Sequence, residues 1–185
     1  MIYLVSGYRR SGTSMMMQAL ASGGMPVSRS LRQDDRMNIT FGDNGYCPND
    51  AYYELNLEDY LDRNTFAARF DGTLVKCLSG GLLRLPNWQY RIIFMRRPVE
   101  EIRKSCLAAF GERDRFAERL DFNDRMDEII DVARDRRSVV SLDEVHYHDM
   151  LADPEGVLRA LDWPVDPMKA ATVPDSTKYR MKVVA

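Results

Sequence analysis

Gly7 and Gly12 bracket Tyr8-Arg9-Arg10-Ser11, and Thr13 and Ser14 follow directly. Two glycines, two arginines and three aliphatic hydroxyls thus fall within one short stretch, and the chemistry it can do is to hold an oxyanion. Glycine lets the backbone turn tightly and approach a ligand closely, and the N–H groups that open a helix present the positive end of its dipole. Ser11, Thr13 and Ser14 add hydroxyl donors. Arg9 and Arg10 add fork-shaped guanidinium groups whose charge no pH change near neutrality removes. Set against the phosphate-cradling pattern G-x-x-x-x-G-K-[ST], the match is complete except that Thr13 stands at the lysine position. The two arginines inside the loop are the available source of positive charge.

Such a loop works only between a strand and a helix, and the flanking residues supply both. Ile2 to Ser6 is a short apolar run that predicts a buried strand. Met15 to Leu20 continues as a helix, with Met16, Met17, Leu20 and Ala21 on one side and a stop at Gly23-Gly24. Three further runs predict buried strands: Thr73 to Leu78, Tyr90 to Met95 and Ser138 to Leu142. Pro98 is tolerated in a first helical turn, so a helix is expected from there to Gly111. The charged stretch from Glu112 to Arg137 carries Phe116, Leu120, Met126, Ile129, Ile130 and Ala133 at mostly helical spacing. Strands alternating with helices imply an α/β fold with a central parallel sheet of four to five strands between helical layers.

A second group with binding chemistry follows the strand Tyr90 to Met95. Arginine at the strand end, Arg96 or Arg97, and Ser105 two helical turns on can meet on one face and hold a second anion.

Composition bounds what these groups serve. With 185 residues, 45% of them hydrophobic, the chain reads as one domain spanning 1–185. A net charge of -2 argues against a nucleic-acid or membrane-surface binder, so an anionic ligand must be held by a local cluster of cations. No segment has the length of an apolar membrane span and no secretory signal opens the chain, which reads as soluble and cytoplasmic. Cys47, Cys77 and Cys106 form no C-x-x-C pair and suit reduced thiols. His146, His148 and Asp149 lack a third ligand at a recognisable spacing, so no metal site is read. The two histidines flank a structural Tyr147, and Trp88 and Trp163 pack loops onto the core. The segment 27–49 has little periodicity and is rich in Arg, Asp, Asn and Ser, which predicts a mobile or acceptor-binding loop.

Taken together, the loop and the Arg97-Ser105 pair resemble the sulfotransferase family that uses 3′-phosphoadenosine 5′-phosphosulfate (PAPS) and releases adenosine 3′,5′-bisphosphate (PAP). In that family an R-S-G-T-like loop holds the 5′-phosphosulfate, and an arginine and a serine at a strand-to-helix junction hold the 3′-phosphate. Arg10-Ser11-Gly12-Thr13-Ser14 is similar to the first motif, and Arg97 with Ser105 to the second. Pro48-Asn49-Asp50-Ala51-Tyr52-Tyr53-Glu54 resembles the N-P-x-G-Y-Y-E segment of bacterial members. Val75-Lys76 resembles their lysine-bearing strand, Asp153-Pro154 their D-P following a Y-x-x-L stretch, and Pro174 to Arg180 their D-P-S-x-Y-R terminus. The resemblance implies a P-loop-like three-layer fold with the cofactor on Arg9, Arg10, Ser11, Gly12, Thr13, Ser14, Met15, Arg97, Ser105 and Arg180. It also implies catalytic roles for Arg10 and Lys76 at the leaving phosphate.

The sequence departs from better-known cytosolic members in three places. Arg10 replaces a lysine and cannot donate a proton. Leu78 replaces a catalytic histidine, which leaves Glu54 as the best candidate for general base. With Pro98 aligned the family serine falls on Lys104, whereas pairing Arg97 with Ser105 restores the spacing, with Arg96 as the alternative. Plainer readings stand beside these: Glu54 as a solvated helix residue, Lys76 pointing to solvent from an edge strand, Met15 to Met17 as core.

Two rival functions are weighed. Val139 to Glu144 reads like an apolar strand ending in a magnesium-binding acid, which suits a nucleoside-triphosphate-dependent kinase or hydrolase, although Thr13 in place of lysine argues against it. A non-catalytic nucleotide-binding relative is the other. The acceptor, whether sugar, lipid, phenol or peptide, is not specified by the sequence.

Overall fold

The computed structural model describes residues 1–28, 63–111 and 114–178. Five strands, β1 (Ile2–Gly7), β2 (Val27–Ser28), β3 (Leu74–Lys76), β4 (Tyr90–Arg96) and β5 (Val139–His146), form one sheet in the order β2-β3-β1-β4-β5. Every pairing is parallel. The helices are α1 (Thr13–Ser22), α2 (Arg63–Phe70), α3 (Ser79–Leu82), α4 (Val99–Phe110), α5 (Phe122–Arg134), α6 (Tyr147–Ala152), α7 (Pro154–Ala160) and α8 (Pro167–Ala170). The expected α/β architecture with a central parallel sheet is therefore present.

Successive residues of a strand face opposite sides of the sheet, and the core divides accordingly. Ile2, Leu4, Val75, Cys77, Ile92 and Phe94 lie in one apolar cluster with residues of α2, α3, α4 and α5. Val5, Leu74, Ile93, Met95 and Val145 lie in the other, with Met15, Met16, Met17, Leu20, Met150, Leu158 and Ala170 from α1, α6, α7 and α8. A sheet covered on both faces explains why its strands read as continuous apolar runs.

Helix ends follow their local chemistry. Gly23 closes α1, its N–H reaching the Ala19 carbonyl. Gly111, at φ 70, closes α4 through a bond to the Leu107 carbonyl.

The structure corrects four sequence expectations. β5 runs on to His146, four residues beyond Leu142, because pairing with β4 continues through Arg96↔His146. Val27–Ser28, expected within a loop, is a strand held by its register with β3; the rest of the expected loop lies outside the described residues. The charged stretch is helical only over Phe122–Arg134. Before it, Asp114 accepts from the Phe116 and Ala117 N–H groups in a turn, and Leu120 projects fully into solvent. Finally, Trp163 packs against Tyr3 as expected, but Trp88 is exposed and donates to Asp71.

Candidate anion-binding site

β1 lies between β3 and β4, so the loop that leaves its carboxyl end emerges at the middle of the sheet, where open α/β sheets bind their ligands. The loop needs its glycines. Gly7 has φ 142, and a Cβ there would come within 2.7 Å of the Met95 carbonyl oxygen and 2.5 Å of Ser11 Oγ. Gly12 has φ 103, and a Cβ would meet Tyr147 Cδ2 at 2.5 Å. Arg10 adopts φ 68, a left-handed conformation costly for a residue with a side chain. Ser11 is buried and its hydroxyl has no hydrogen-bond partner. A buried donor of this kind fits a ligand that brings its own acceptor oxygen.

Lys76 is the second cation at the loop. It shares a sheet face with Leu74, the face that α1 covers, and donates from Nζ to Ser14 Oγ at 3.1 Å. Only 5% of it is exposed, and β3 is bonded on both sides, by β2 and β1, so the edge-strand reading of Lys76 is overturned. The Lys76 ammonium is thus set beside the first turn of α1.

The two sequence motifs meet through Arg10, whose Nε donates to Ser105 Oγ at 2.9 Å. Arg97 NH1 donates to the Arg10 carbonyl oxygen at 2.9 Å and Arg97 Nε to Glu101 Oε2 at 2.9 Å. Its guanidinium lies over the Tyr147 ring, 4.4 Å from the centre. Tyr147 therefore packs against Gly12 on one side and Arg97 on the other, and burial holds its phenol above the ordinary value. The first grip and the second form one contiguous cluster built from β1, β4, α4 and α6.

Two other arginines are diverted. Arg9, expected on the ligand, forms an ion pair with Asp114 and lies over the Phe110 ring. Asp114 also accepts from Tyr8 Oη at 2.8 Å. Burial works to raise the Asp114 carboxyl, but the bonds from Arg9, Tyr8 and the Ala117 N–H overcome it and leave the group below its ordinary value. Arg96 pairs with Asp127 and with Glu144, the latter at 2.8 Å, so it is Arg97 that joins the loop.

Met15 lies in the core beneath α1, as its plainer reading has it. Of the two acids that end the Val139 to Glu144 run, Glu144 is taken by Arg96 and Arg134 at 2.8 Å each, whereas Asp143 keeps a buried Oδ2 with no hydrogen-bond partner. Beside the loop, between the ends of β4 and β5 and the start of α5, a cavity of about 380 Å³ is lined by Tyr8, Ser11, Phe94, Arg97 and Phe122 among others.

Glu54 and Arg180 lie outside the described residues. Sequence reasoning missed Glu101 and Asp114. The signal for Glu101 was its place one helical turn after Arg97; Asp114, distant from the loop in sequence, offered none. Among the described residues no group of three His, Cys, Asp or Glu could hold a metal ion, and no helix is long and apolar enough to cross a membrane.

No protein-family model matches the chain, and neither does any curated protein. Among solved structures it is similar to the sulfotransferase STF1 from Mycobacterium tuberculosis H37Rv, with 19% identity over 96% of this chain and 73% of that one and a TM-score of 0.49. That degree of likeness assigns neither activity nor ligand to this chain.

Proposed function

We propose that the chain, acting as one domain over 1–185, is a PAPS-dependent sulfotransferase that moves a sulfuryl group to a hydroxyl or amine of a small-molecule, carbohydrate, lipid or peptide acceptor. The observation that carries this reading is the contact between two cationic motifs: Arg10 bonded to Ser105, and Arg97 bonded to the Arg10 carbonyl. The cluster brings two guanidinium groups together, one of them also paired with Glu101, and a nucleotide with 5′ and 3′ anionic ends offers oxygens to both. The buried Ser11 hydroxyl and the left-handed turns at Arg10 and Gly12 fit the same ligand.

PAPS, when bound, supplies the activated sulfuryl group. The chain's residues do the rest. The loop backbone with Ser11, Gly12, Thr13 and Ser14 orients the phosphosulfate, while Arg10 and Lys76 face the charge that grows on the leaving phosphate. PAPS would give up its sulfuryl group to the acceptor oxygen or nitrogen, with adenosine 3′,5′-bisphosphate as the leaving group. Glu54 takes the acceptor proton, and Arg180 contributes to binding the cofactor. Lys76 supports this assignment by its hydrogen bond to Ser14 at the start of α1. Thr13 at the lysine position is what weighs against the kinase reading.

The test is ligand-dependent melting without magnesium, followed by turnover with radiolabelled PAPS. Adenosine 3′,5′-bisphosphate at a hundredfold its dissociation constant is expected to stabilise the fold by about 2.7 kcal/mol, with ATP well below it. A magnesium-dependent preference for ATP overturns the proposal, and bisphosphate binding without transfer to any acceptor reduces it to a binding module.

A further inference from the structure

Glu101 is the buried hub of the second grip. Its side chain is 6% exposed and lies one helical turn after Arg97, whose side chain is 7% exposed. One carboxylate oxygen, Oε2, accepts from Arg97 Nε at 2.9 Å, and the other, Oε1, lies 2.9 Å from His148 Nε2. Arg97 is held in two further ways, by the Arg10 carbonyl at NH1 and by the Tyr147 ring beneath its plane. An arginine chain loses much rotamer entropy when it is fixed on a ligand. Here contacts within the protein hold the rotamer, which is the condition for preorganised binding.

A carboxylate beside a phosphate-binding arginine also has a cost, since it competes for the same charge. Its buried position between Arg97 and His148 fits a role in which orientation outweighs competition. We infer that Glu101, braced by His148, is a positioning residue that sets the Arg97 guanidinium for a 3′-phosphate, so that discrimination between a 3′-phosphorylated nucleotide and its 5′-monophosphate depends on a carboxylate that does not touch the ligand. The inference rests on the nucleotide reading given above.

The experiment is calorimetric titration of the full chain and its variants with adenosine 3′,5′-bisphosphate and with adenosine 5′-monophosphate. The unsubstituted chain is expected to prefer the bisphosphate. Glu101→Gln, which keeps the side-chain shape, is expected to weaken bisphosphate binding about tenfold, as loss of a charge-assisted bond would, and to leave the monophosphate within about twofold. His148→Ala removes only the brace from a half-exposed ring and is expected to shift the same ratio about threefold. It also serves if Glu101→Gln fails to fold. Equal losses for both nucleotides in these variants make Glu101 merely structural, and tighter bisphosphate binding makes it a competitor; either result overturns the inference while the nucleotide reading stands. No bisphosphate preference in the unsubstituted chain overturns both.

Discussion

Arg10 Nε donates to Ser105 Oγ at 2.9 Å, tying a loop residue in a left-handed conformation to the interior of α4. The bond fixes the loop's central cation from the side, while Gly7 and Gly12 fix its path from below. If the two residues act as one unit, their contributions to bisphosphate binding will not add. In a double-mutant cycle of Arg10→Ala and Ser105→Ala, a coupling of about 1 kcal/mol is expected from the dissociation constants. Additive losses would show that Ser105 meets the ligand independently.

The glycines make a prediction about stability alone. Gly7→Ala sets a Cβ 2.7 Å from the Met95 carbonyl oxygen, a backbone atom of the central sheet, whereas Gly12→Ala meets the ring of Tyr147. Both also carry the strain of a positive φ, on the order of 1–3 kcal/mol. Urea unfolding is expected to show a larger loss for Gly7→Ala, and Tyr147→Ala to relieve part of the loss from Gly12→Ala but none from Gly7→Ala.

Lys76 separates binding from chemistry. Lys76→Met replaces a buried ammonium by an apolar chain of similar length, so the melting temperature is expected to hold or rise. Transfer is expected to slow about 10²-fold, the scale set by losing one donor aimed at developing charge. Glu54→Gln is expected to slow transfer with bisphosphate affinity intact. Stopped turnover alongside lost affinity would assign Glu54 to structure.

Asp114 predicts the acid limit. Its native carboxyl titrates below the ordinary 3.8, so in acid the unfolded chain binds the extra proton. Stability from this group is complete above that value and is lost as pH falls below it, through the native pKa. Urea midpoints between pH 5 and pH 2 are expected to fall less steeply for Asp114→Asn, which starts from a lower plateau because Tyr8 and Arg9 lose their acceptor.

The described cysteines should be silent. Burial pushes the Cys77 thiol up to about 12, and burial foremost, with the nearby Asp114 carboxylate, pushes Cys106 up to about 11. Thiolate is the reacting form, so iodoacetamide at pH 8 is expected to label neither until the chain unfolds. Rapid labelling of Cys77 in the native state would contradict its burial in the sheet.

Much of this arrangement was legible in the residues. The loop, the helix after it and the arginine-bearing end of β4 were read from glycine spacing and apolar runs, because those features are local. Lys76 falls on the expected strand, but the residues leave open whether it faces inward or solvent, since whether β3 is an edge depends on β2, a two-residue strand with no periodicity to read. Arg9 and Arg10 look alike in sequence. Only tertiary contact sends one to Asp114 and the other to Ser105. The same holds for Phe116 to Leu120, where helical spacing is real but Asp114 captures the N–H groups that a helix would use.

The place of β1 in the sheet has a consequence for endurance. It is hydrogen-bonded along both edges, whereas β2 offers two residues at one margin of the sheet. Fraying that begins at that margin must release β3 before it can loosen β1. The glycine-bracketed turn is thus rooted in the segment whose amides should be last to exchange with solvent, and it keeps its shape while the periphery breathes.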